Sequence, residues 1–276
     1  MTSGDMTADD TIAGEMNGGS GSLGSADAQR RFGAIRRLGG ERALERLSSA
    51  CVCVVGIGGV GSWAAEALAR TGVGHLVLID MDHVAVSNVN RQIHATDETL
   101  GQSKILAMQQ RIATFAPQCR VDVRDDFLSA DNMAALLTVP ERSSGPDVLL
   151  DCCDQSSAKI AMALFARQHK LPFIMAGSAG GKWEAERLRC SDLSESAQDP
   201  MLSKIRQRLR REHGFERNPG KRMRVTCVWS DEPVKRGDVC DTSAGLNCAG
   251  YGSLVSTTAS MGMIMAGWAV RRLLAA

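Results

Sequence analysis

The chain has 276 residues, of which 44% are hydrophobic and 23% are charged, and its formal net charge is +1. This balance excludes a polyelectrolyte that acts through bulk charge, so any contact with nucleic acid has to come from a local basic patch. Nine cysteines without a recognisable secretory signal favour reduced thiols in the cytoplasm over a disulfide framework.

The first segment, residues 1–28, is rich in glycine and serine and carries only acidic charge. Such a composition predicts a disordered leader, because it offers little apolar surface to bury. We expect the remainder, 29–276, to form a single domain. Its parts are a nucleotide-binding core at 30–180, a substrate-facing elaboration at 181–250 and a C-terminal helix at 251–276.

Predicted strands and helices alternate through the middle of the chain. Apolar runs predict strands at 51–56, 76–80, 119–124, 147–152 and 172–176, and helical periodicity predicts helices near 60–71, 101–115, 130–138 and 156–169. This alternation implies right-handed crossovers between parallel strands. The predicted fold class is therefore α/β, with a Rossmann-like, mainly parallel sheet, helices on both faces and a C-terminal elaboration.

The turn after the first predicted strand has a glycine pattern typical of phosphate binding. Gly56, Gly58 and Gly61 match G-x-G-x-x-G, and Asp80 ends the next strand where a ribose-binding carboxylate is expected. A helix that begins at Gly61 would direct unpaired N–H groups and its positive dipole end at a phosphate. The glycines alone do not separate a dehydrogenase from an ATP-consuming enzyme.

Polar residues downstream of this turn favour ATP. Reaction at an α-phosphate needs cations and hydrogen-bond donors to stabilise negative charge, whereas hydride transfer needs little beyond pyrophosphate binding. Asn88, Arg91 and Lys104 supply such groups. Each alone is explained as a surface polar residue, but together, beside the phosphate turn, they indicate an ATP site.

Several spaced segments resemble the motifs of the E1-like family of ATP-dependent adenylating enzymes. They are RFGAIRRLGG at 31–40, GIGGVGS at 56–62, DMDHVAVSNVNRQ at 80–92, GQSK at 101–104 and DCCD at 151–154. Such an ordered set is far more specific than the glycine pattern alone. The resemblance implies an E1-like fold that uses ATP and Mg²⁺.

The resemblance also implies which residues bind the nucleotide. The glycines of the turn are Gly56, Gly58, Gly59 and Gly61. Asp80 would hold the ribose, and Asp82 would share that task or help to bind Mg²⁺. The phosphates would be contacted by Asn88, Arg91 and Lys104.

Two further residues take their expected roles from the same resemblance. Asp154 would bind Mg²⁺, which suits a carboxylate that follows the C-terminal end of a strand. Arg31 matches an arginine that reaches the partner subunit's ATP in homodimeric family members, so it implies a homodimer with shared sites. A solvated cation at a helix start explains Arg31 as well.

A more specific resemblance is to the subgroup of this family that dehydrates N6-threonylcarbamoyladenosine in tRNA. Its segments are NVNRQIHA at 88–95, AGSAGGKWE at 176–184, DPMLSKIRQRLR at 199–210 and NCAGYGS at 247–253. The implied chemistry is adenylation of the threonyl carboxylate and ring closure within the same modified base. One alternative is adenylation of the C-terminus of a ubiquitin-like sulfur-carrier protein, and a second is a nucleotide-binding redox or sensor module without adenylation.

A basic run at 203–224 is a candidate contact for tRNA. Leu202, Ile205 and Leu209 form an apolar stripe at helical spacing, which leaves the cations of this run free to project elsewhere. The same pattern also fits an ordinary solvated helix face. The uncharged stretch at 242–270 is better explained by a loop leading into a buried helix at about 253–274 than by a membrane span.

The cysteines give one expected absence and one candidate thiol. Sulfur-carrier activators usually carry two C-x-x-C pairs for zinc, which this chain lacks, so we predict no zinc. Cys248 lies in a glycine-rich segment where it could accept the acyl group as a thioester, or exchange sulfur with a cysteine-desulfurase or sulfur-acceptor partner. A buried small hydrophobe explains Cys248 equally well. The sequence is also compatible with a bound monovalent cation.

Overall fold

A seven-stranded sheet is the centre of the computed structural model, which describes residues 26–142, 145–218, 220–235 and 251–275. The strands are β1 (Cys51–Val55), β2 (His75–Ile79), β3 (Arg120–Arg124), β4 (Val148–Asp151), β5 (Phe173–Ala176), β6 (Leu188–Asp192) and β7 (Thr226–Ser230). Their order is β3-β2-β1-β4-β5-β7-β6, and only the β6–β7 pair is antiparallel. The predicted mainly parallel, Rossmann-like sheet is confirmed.

Helices cover both faces of the sheet, as its apolar strands require. They are α1 (Ala26–Gly39), α2 (Ala43–Ser49), α3 (Gly61–Arg70), α4 (Lys104–Phe115), α5 (Met133–Leu136), α6 (Ser156–His169), α7 (Pro200–Glu212) and α8 (Val255–Ala275). Alternate residues of β1 show the two-sided core: Val52 and Val54 pack in the cluster with α3, α4 and α8, while Cys51 and Cys53 pack in the cluster with α6 and α7.

The bounds of the first five strands agree with the predicted ones to within a residue at each end, whereas β6 and β7 were not predicted. β6 is a polar edge strand, LRCSD, which lacks the continuous apolar run of a central strand. Through β7 it extends the same sheet, so part of the 181–250 segment is continuous with the nucleotide-binding core. Helix α1 begins at Ala26, so the last residues of the predicted 1–28 leader are helical, and 1–25 lie outside the described residues.

The predicted C-terminal helix is present as α8, and it packs closely on the start of α3. A Cβ at Gly262 would lie 2.4 Å from the Val60 carbonyl oxygen, so α8 approaches this backbone at a distance that only glycine permits. Met261 and Met265 are fully buried in the same core. α8 therefore supports the turn between β1 and α3. Across the described ranges, no helix combines the length and apolar character needed to span a membrane.

Helix α7 confirms the predicted apolar stripe. Leu202, Ile205 and Leu209 have no exposed surface. The Asp199 side chain caps the helix by accepting from the Leu202 N–H at 3.0 Å, and Pro200 occupies the first turn, where its missing N–H costs nothing. The cap and the apolar face together fix α7 against the side of the sheet that carries α6.

Candidate active site

The turn from β1 to α3 lies where the strand order reverses, between β1 and β4. Gly56 has a φ of +86°, and a Cβ there would lie 2.7 Å from the Cys153 nitrogen. A Cβ at Gly61 would lie 1.8 Å from the Gly56 carbonyl oxygen. Only glycine fits both positions, and the resulting cradle at the N-terminus of α3 fits a phosphate group.

The carboxylates that follow β2 are held beside this cradle. Asp80 accepts from the Ile57 N–H at 2.5 Å and from the Asp82 N–H at 2.8 Å. Burial raises the pKa of the Asp80 carboxyl, and Lys104 and the two N–H donors oppose that rise. Asp80 thereby fixes the backbone on both sides of the site, while lone pairs of its oxygens remain available to ribose hydroxyls.

Lys104 begins α4 and is almost fully buried. Its Nζ lies 2.7 Å from Asp82 Oδ2, although the Asp82 side chain is 66% exposed. The Lys104 backbone N–H also donates to the Asp82 carbonyl at 3.0 Å. This geometry brings Asp80, Asp82 and Lys104 together, as the sequence predicted.

The 88–92 segment places Arg91 next to the glycine turn. A Cβ at Gly59 would lie 3.2 Å from Arg91 Cγ, so the two residues are in contact distance. The Arg91 guanidinium donates at 2.8 Å to the Ser87 carbonyl and at 2.8 Å to Asn90 Oδ1, both uncharged acceptors. Asn88 is buried and accepts from the Ala85 N–H at 3.1 Å. Asn88 thus shapes the loop that presents Arg91.

Asp154 lies just beyond β4, on the segment that packs against Gly56. It is exposed, and within the described part of the chain its carboxylate has no hydrogen-bond or ion-pair partner. An oxygen ligand that is free at the C-terminal edge of the sheet fits a hard cation such as Mg²⁺. In the same ranges, no group of three or more His, Cys, Asp or Glu residues is arranged as a metal cluster.

A buried ion pair behind Asp154 was missed in the sequence. Lys159 and Asp151 are both fully buried, with Nζ 3.0 Å from Oδ1, and Lys159 also donates to the Ala176 carbonyl at 2.7 Å. The pair therefore joins the ends of β4 and β5. A lysine on the apolar face of α6, directly after a strand that ends in aspartate, was the signal available in the sequence.

A second group of buried charges consists of Lys182, in the segment after β5, and Glu232, in the segment after β7. Lys182 Nζ donates to the carbonyls of Gln198, at 3.0 Å, and Glu232. The Glu232 carboxylate accepts from the N–H groups of Trp183 and Glu184 at 2.8 and 2.9 Å. Burial alone would raise the pKa of Glu232, but these donors and Lys235 lower it to about 2. The segment at 181–184 is therefore tied to α7 and to the end of β7.

Arg31 does not lie at this site within its own chain. Its Nε is 2.7 Å from Asp27, and its Nη1 donates to the Phe115 carbonyl at 3.1 Å. Phe115 ends α4, so it lies about 16 Å along the helix from Lys104. Cys248 lies outside the described residues, and its predicted chemistry stays a hypothesis.

Several buried polar groups near the site also escaped the sequence analysis. Among the described residues, Ser62 Oγ, Gln92 Oε1 and both ring nitrogens of His94 are buried without a hydrogen-bond partner. Burial, with Lys104 and Arg111 nearby, lowers the pKa of His94 to about 4. His94 is therefore neutral in the folded protein near pH 7.

This pKa predicts a specific acid sensitivity. The pKa of His94 is about 4 in the fold against 6.5 for the free side chain, so stability present above pH 6.5 is lost as the pH falls towards 4. The loss is about 3 kcal/mol at most. Chemical denaturation of wild type and His94→Leu at pH 7 and pH 4.5 should show a smaller pH dependence in the variant. Identical pH dependences would contradict a buried, neutral His94.

Comparisons with known proteins identify the family of the chain. The model of the ThiF family matches residues 29–276. The chain is 41% identical over 262 residues to the tRNA threonylcarbamoyladenosine dehydratase of Escherichia coli, covering 91% of this chain and 96% of that one. It is 38% identical over 250 residues to the dehydratase of Haemophilus influenzae, covering 89% and 94%. The crystal structure of the E. coli enzyme with ATP superposes with a TM-score of 0.81 at 39% identity, covering 91% and 96%. The chain belongs to the ThiF family.

Proposed function

We propose that this protein is an ATP-dependent enzyme that dehydrates N6-threonylcarbamoyladenosine in tRNA to a cyclic form. The observation that carries the proposal is the phosphate cradle with Lys104 and Arg91 beside it, in a chain that is similar over nearly its whole length to dehydratases of that name. A tRNA substrate and the seven free thiols among the described cysteines fit a cytoplasmic setting.

The chemistry follows from the charge that the site can stabilise. The threonyl carboxylate attacks the α-phosphate of ATP, and pyrophosphate leaves. A nucleophile of the same modified base then attacks the activated carbonyl, loses its proton and expels AMP, so the base loses one water in total. Because the second nucleophile is intramolecular, the reaction needs no further substrate.

We assign the nucleotide contacts to the residues that the fold brings together. The cradle at Gly56 and Gly61 binds a phosphate, and Asp80 binds the ribose. Lys104 and Arg91 stabilise the negative charge that develops at the α-phosphate. Asp154 would hold Mg²⁺, which supplies further neutralisation of the phosphates when bound. Asn88 supports the Arg91 loop, and Asp82 orients Lys104.

Release of pyrophosphate distinguishes this function from its rivals. We expect release from ATP to require tRNA that carries the threonylcarbamoyl group. Release that instead requires a small protein ending in Gly-Gly would identify a sulfur-carrier activator. No consumption of ATP with either substrate would identify a redox or sensor module.

The resemblance of the Arg31 segment to homodimeric family members supports a dimer in which each subunit completes the other's site. Since Arg31 lies at the far end of α4 in its own chain, we propose that it reaches the partner's ATP. Arg31→Ala and Asp154→Ala should each be inactive. After subunit exchange, half of the dimers are mixed and each has one intact site, so activity should recover to about a quarter of wild type. No recovery after verified exchange would show that Arg31 does not act across subunits.

The basic run beyond residue 203 supports tRNA binding through only some of its cations. Arg206 is partly buried and donates to the Ser196 carbonyl at 2.6 Å, and Arg210 donates to the Glu216 carbonyl at 3.0 Å. Both are therefore anchored in the fold. The exposed cations that we propose for tRNA phosphates are Lys204, Arg208, Arg211 and Lys221.

These two sets of cations predict different effects of substitution. Replacing the four exposed cations with Gln should weaken tRNA binding and reduce the slope of log affinity against log salt by about 1 for each lost phosphate contact. ATP affinity should hardly change. As the matched control, Arg206→Gln should lower the melting temperature with little effect on the slope. An unchanged slope in the fourfold variant would remove α7 from the tRNA interface.

A further inference from the structure

An exposed tryptophan lies in the segment that follows β5. Trp183 is 63% exposed, whereas Trp229 and Trp268 are almost fully buried and Trp63 donates its indole N–H to the Arg91 carbonyl at 3.0 Å. An exposed indole presents a large, flat apolar face that is available to a ligand.

The backbone that carries Trp183 is held in place on both sides. The buried Glu232 carboxylate accepts from the N–H groups of Trp183 and Glu184, at 2.8 and 2.9 Å. The preceding residue, Lys182, is anchored through its ammonium group, and its carbonyl accepts from the Thr257 hydroxyl at 3.3 Å. The indole is thus presented from a fixed backbone, which limits the entropy lost when it contacts a ligand.

A short path connects this tryptophan to the nucleotide site. The Gly181 N–H donates to the Gly252 carbonyl at 2.9 Å, and the next carbonyl along the chain, that of Ser253, accepts from Asn90 Nδ2 at 3.1 Å. Asn90 directly precedes Arg91. On its other side, Lys182 contacts the Gln198 carbonyl, just before the start of α7. The segment that carries Trp183 therefore connects the loop before Arg91 with the N-terminal end of α7, the helix that carries exposed cations.

We propose that Trp183 is a stacking platform for an unpaired base of the RNA substrate, next to the base that is modified. This inference rests on the proposed function. Unpaired bases of an RNA loop can be splayed out and stacked on aromatic side chains, which is how single-stranded RNA is commonly recognised. An exposed aromatic ring beside a cationic surface is the arrangement that binds such bases, because the ring stacks on the base while the cations contact the phosphates.

Two substitutions of Trp183 test the platform, with full-length enzyme and tRNA that carries the threonylcarbamoyl group. Trp183→Ala should raise the Kd and KM for tRNA by about 10- to 100-fold and leave the Kd for ATP unchanged. Trp183→Phe keeps an aromatic face and should retain most of the affinity. Leu38→Ala is the matched control, because it also removes an exposed apolar side chain, but from α1. This variant should bind tRNA normally.

Fluorescence provides a readout that a purely structural role would not change. Acrylamide should quench the emission of Trp183 in the free enzyme, and bound tRNA should protect it. This protection should be absent from Trp183→Phe, even though that variant still binds. Wild-type tRNA affinity in Trp183→Ala, or unprotected Trp183 emission in an enzyme that dehydrates tRNA, would overturn the platform. A wild-type enzyme that neither binds nor modifies tRNA would instead overturn the proposed function, and the platform with it.

Discussion

Replacing either Lys104 or Arg91 with Ala is expected to lower turnover by about 10²- to 10³-fold while the protein stays folded. Both cations flank the phosphate cradle, where they are positioned to stabilise the charge of the transition state. Loss of Lys104 leaves no uncompensated buried charge, because Asp82 is exposed and can return to water, so the cost in stability comes from the cavity left by the buried lysine stem. Steady-state kinetics with saturating ATP and tRNA, together with thermal unfolding, measures both effects.

Arg120→Ala is a suitable control for the change in charge. Arg120 is about half exposed and forms ion pairs with the mostly buried Asp122 and the exposed Glu141 at the start of β3, at the opposite end of the parallel strands from the cradle. Its replacement should leave turnover near wild type. Near-native turnover in Lys104→Ala and in Arg91→Ala would contradict their assignment to the α-phosphate.

Replacing Lys159 with Met is expected to destabilise the fold by about 3–5 kcal/mol. The substitution leaves Asp151 buried without its counter-charge, in a core where neither side chain has access to water. It also removes the link to the Ala176 carbonyl, and with it the connection between the ends of β4 and β5. Equilibrium denaturation in urea measures the loss.

A double variant separates the uncompensated charge from the loss of packing. Asp151→Asn removes the charge and keeps an acceptor for the Cys153 N–H, so Asp151→Asn/Lys159→Met should recover a large part of the lost stability. Equal stabilities of the single Lys159→Met variant and wild type would show that the pair contributes nothing. Additive losses in the double variant would show that the two side chains act independently.

The sequence predicts the central strands well because each is a short, continuous apolar run. β1 and β4 are buried on both faces, and the glycine turn after β1 has no alternative residue type at Gly56 or Gly61. β6 and β7 were not predicted, because a polar edge strand and a short strand after a loop show no clear hydrophobic periodicity. Their place in the sheet depends on tertiary pairing, which a local pattern does not contain.

The same distinction between local pattern and tertiary contact separates the site residues that the sequence predicts from those that it does not. Asp80 and Asp82 lie in one motif and Lys104 in a second one, 22 residues beyond Asp82, so two spaced motifs were needed to predict that the three residues serve one site. The pair formed by Lys159 and Asp151 depends on packing between a helix and two strands, and the anchoring of Arg206 depends on carbonyls that α7 meets only in the fold. Basic residues in a run look alike in sequence, but burial separates structural cations from exposed ones.

Mass spectrometry of tRNA nucleosides tests the proposed function most directly. Purified enzyme is incubated with ATP, Mg²⁺ and tRNA that carries N6-threonylcarbamoyladenosine, and the tRNA is then digested under conditions that preserve the cyclic product. We expect this nucleoside to lose the mass of one water only when ATP is present, with one AMP and one pyrophosphate formed for each nucleoside converted. An unchanged nucleoside alongside consumption of ATP, or loss of water without ATP, would contradict the account.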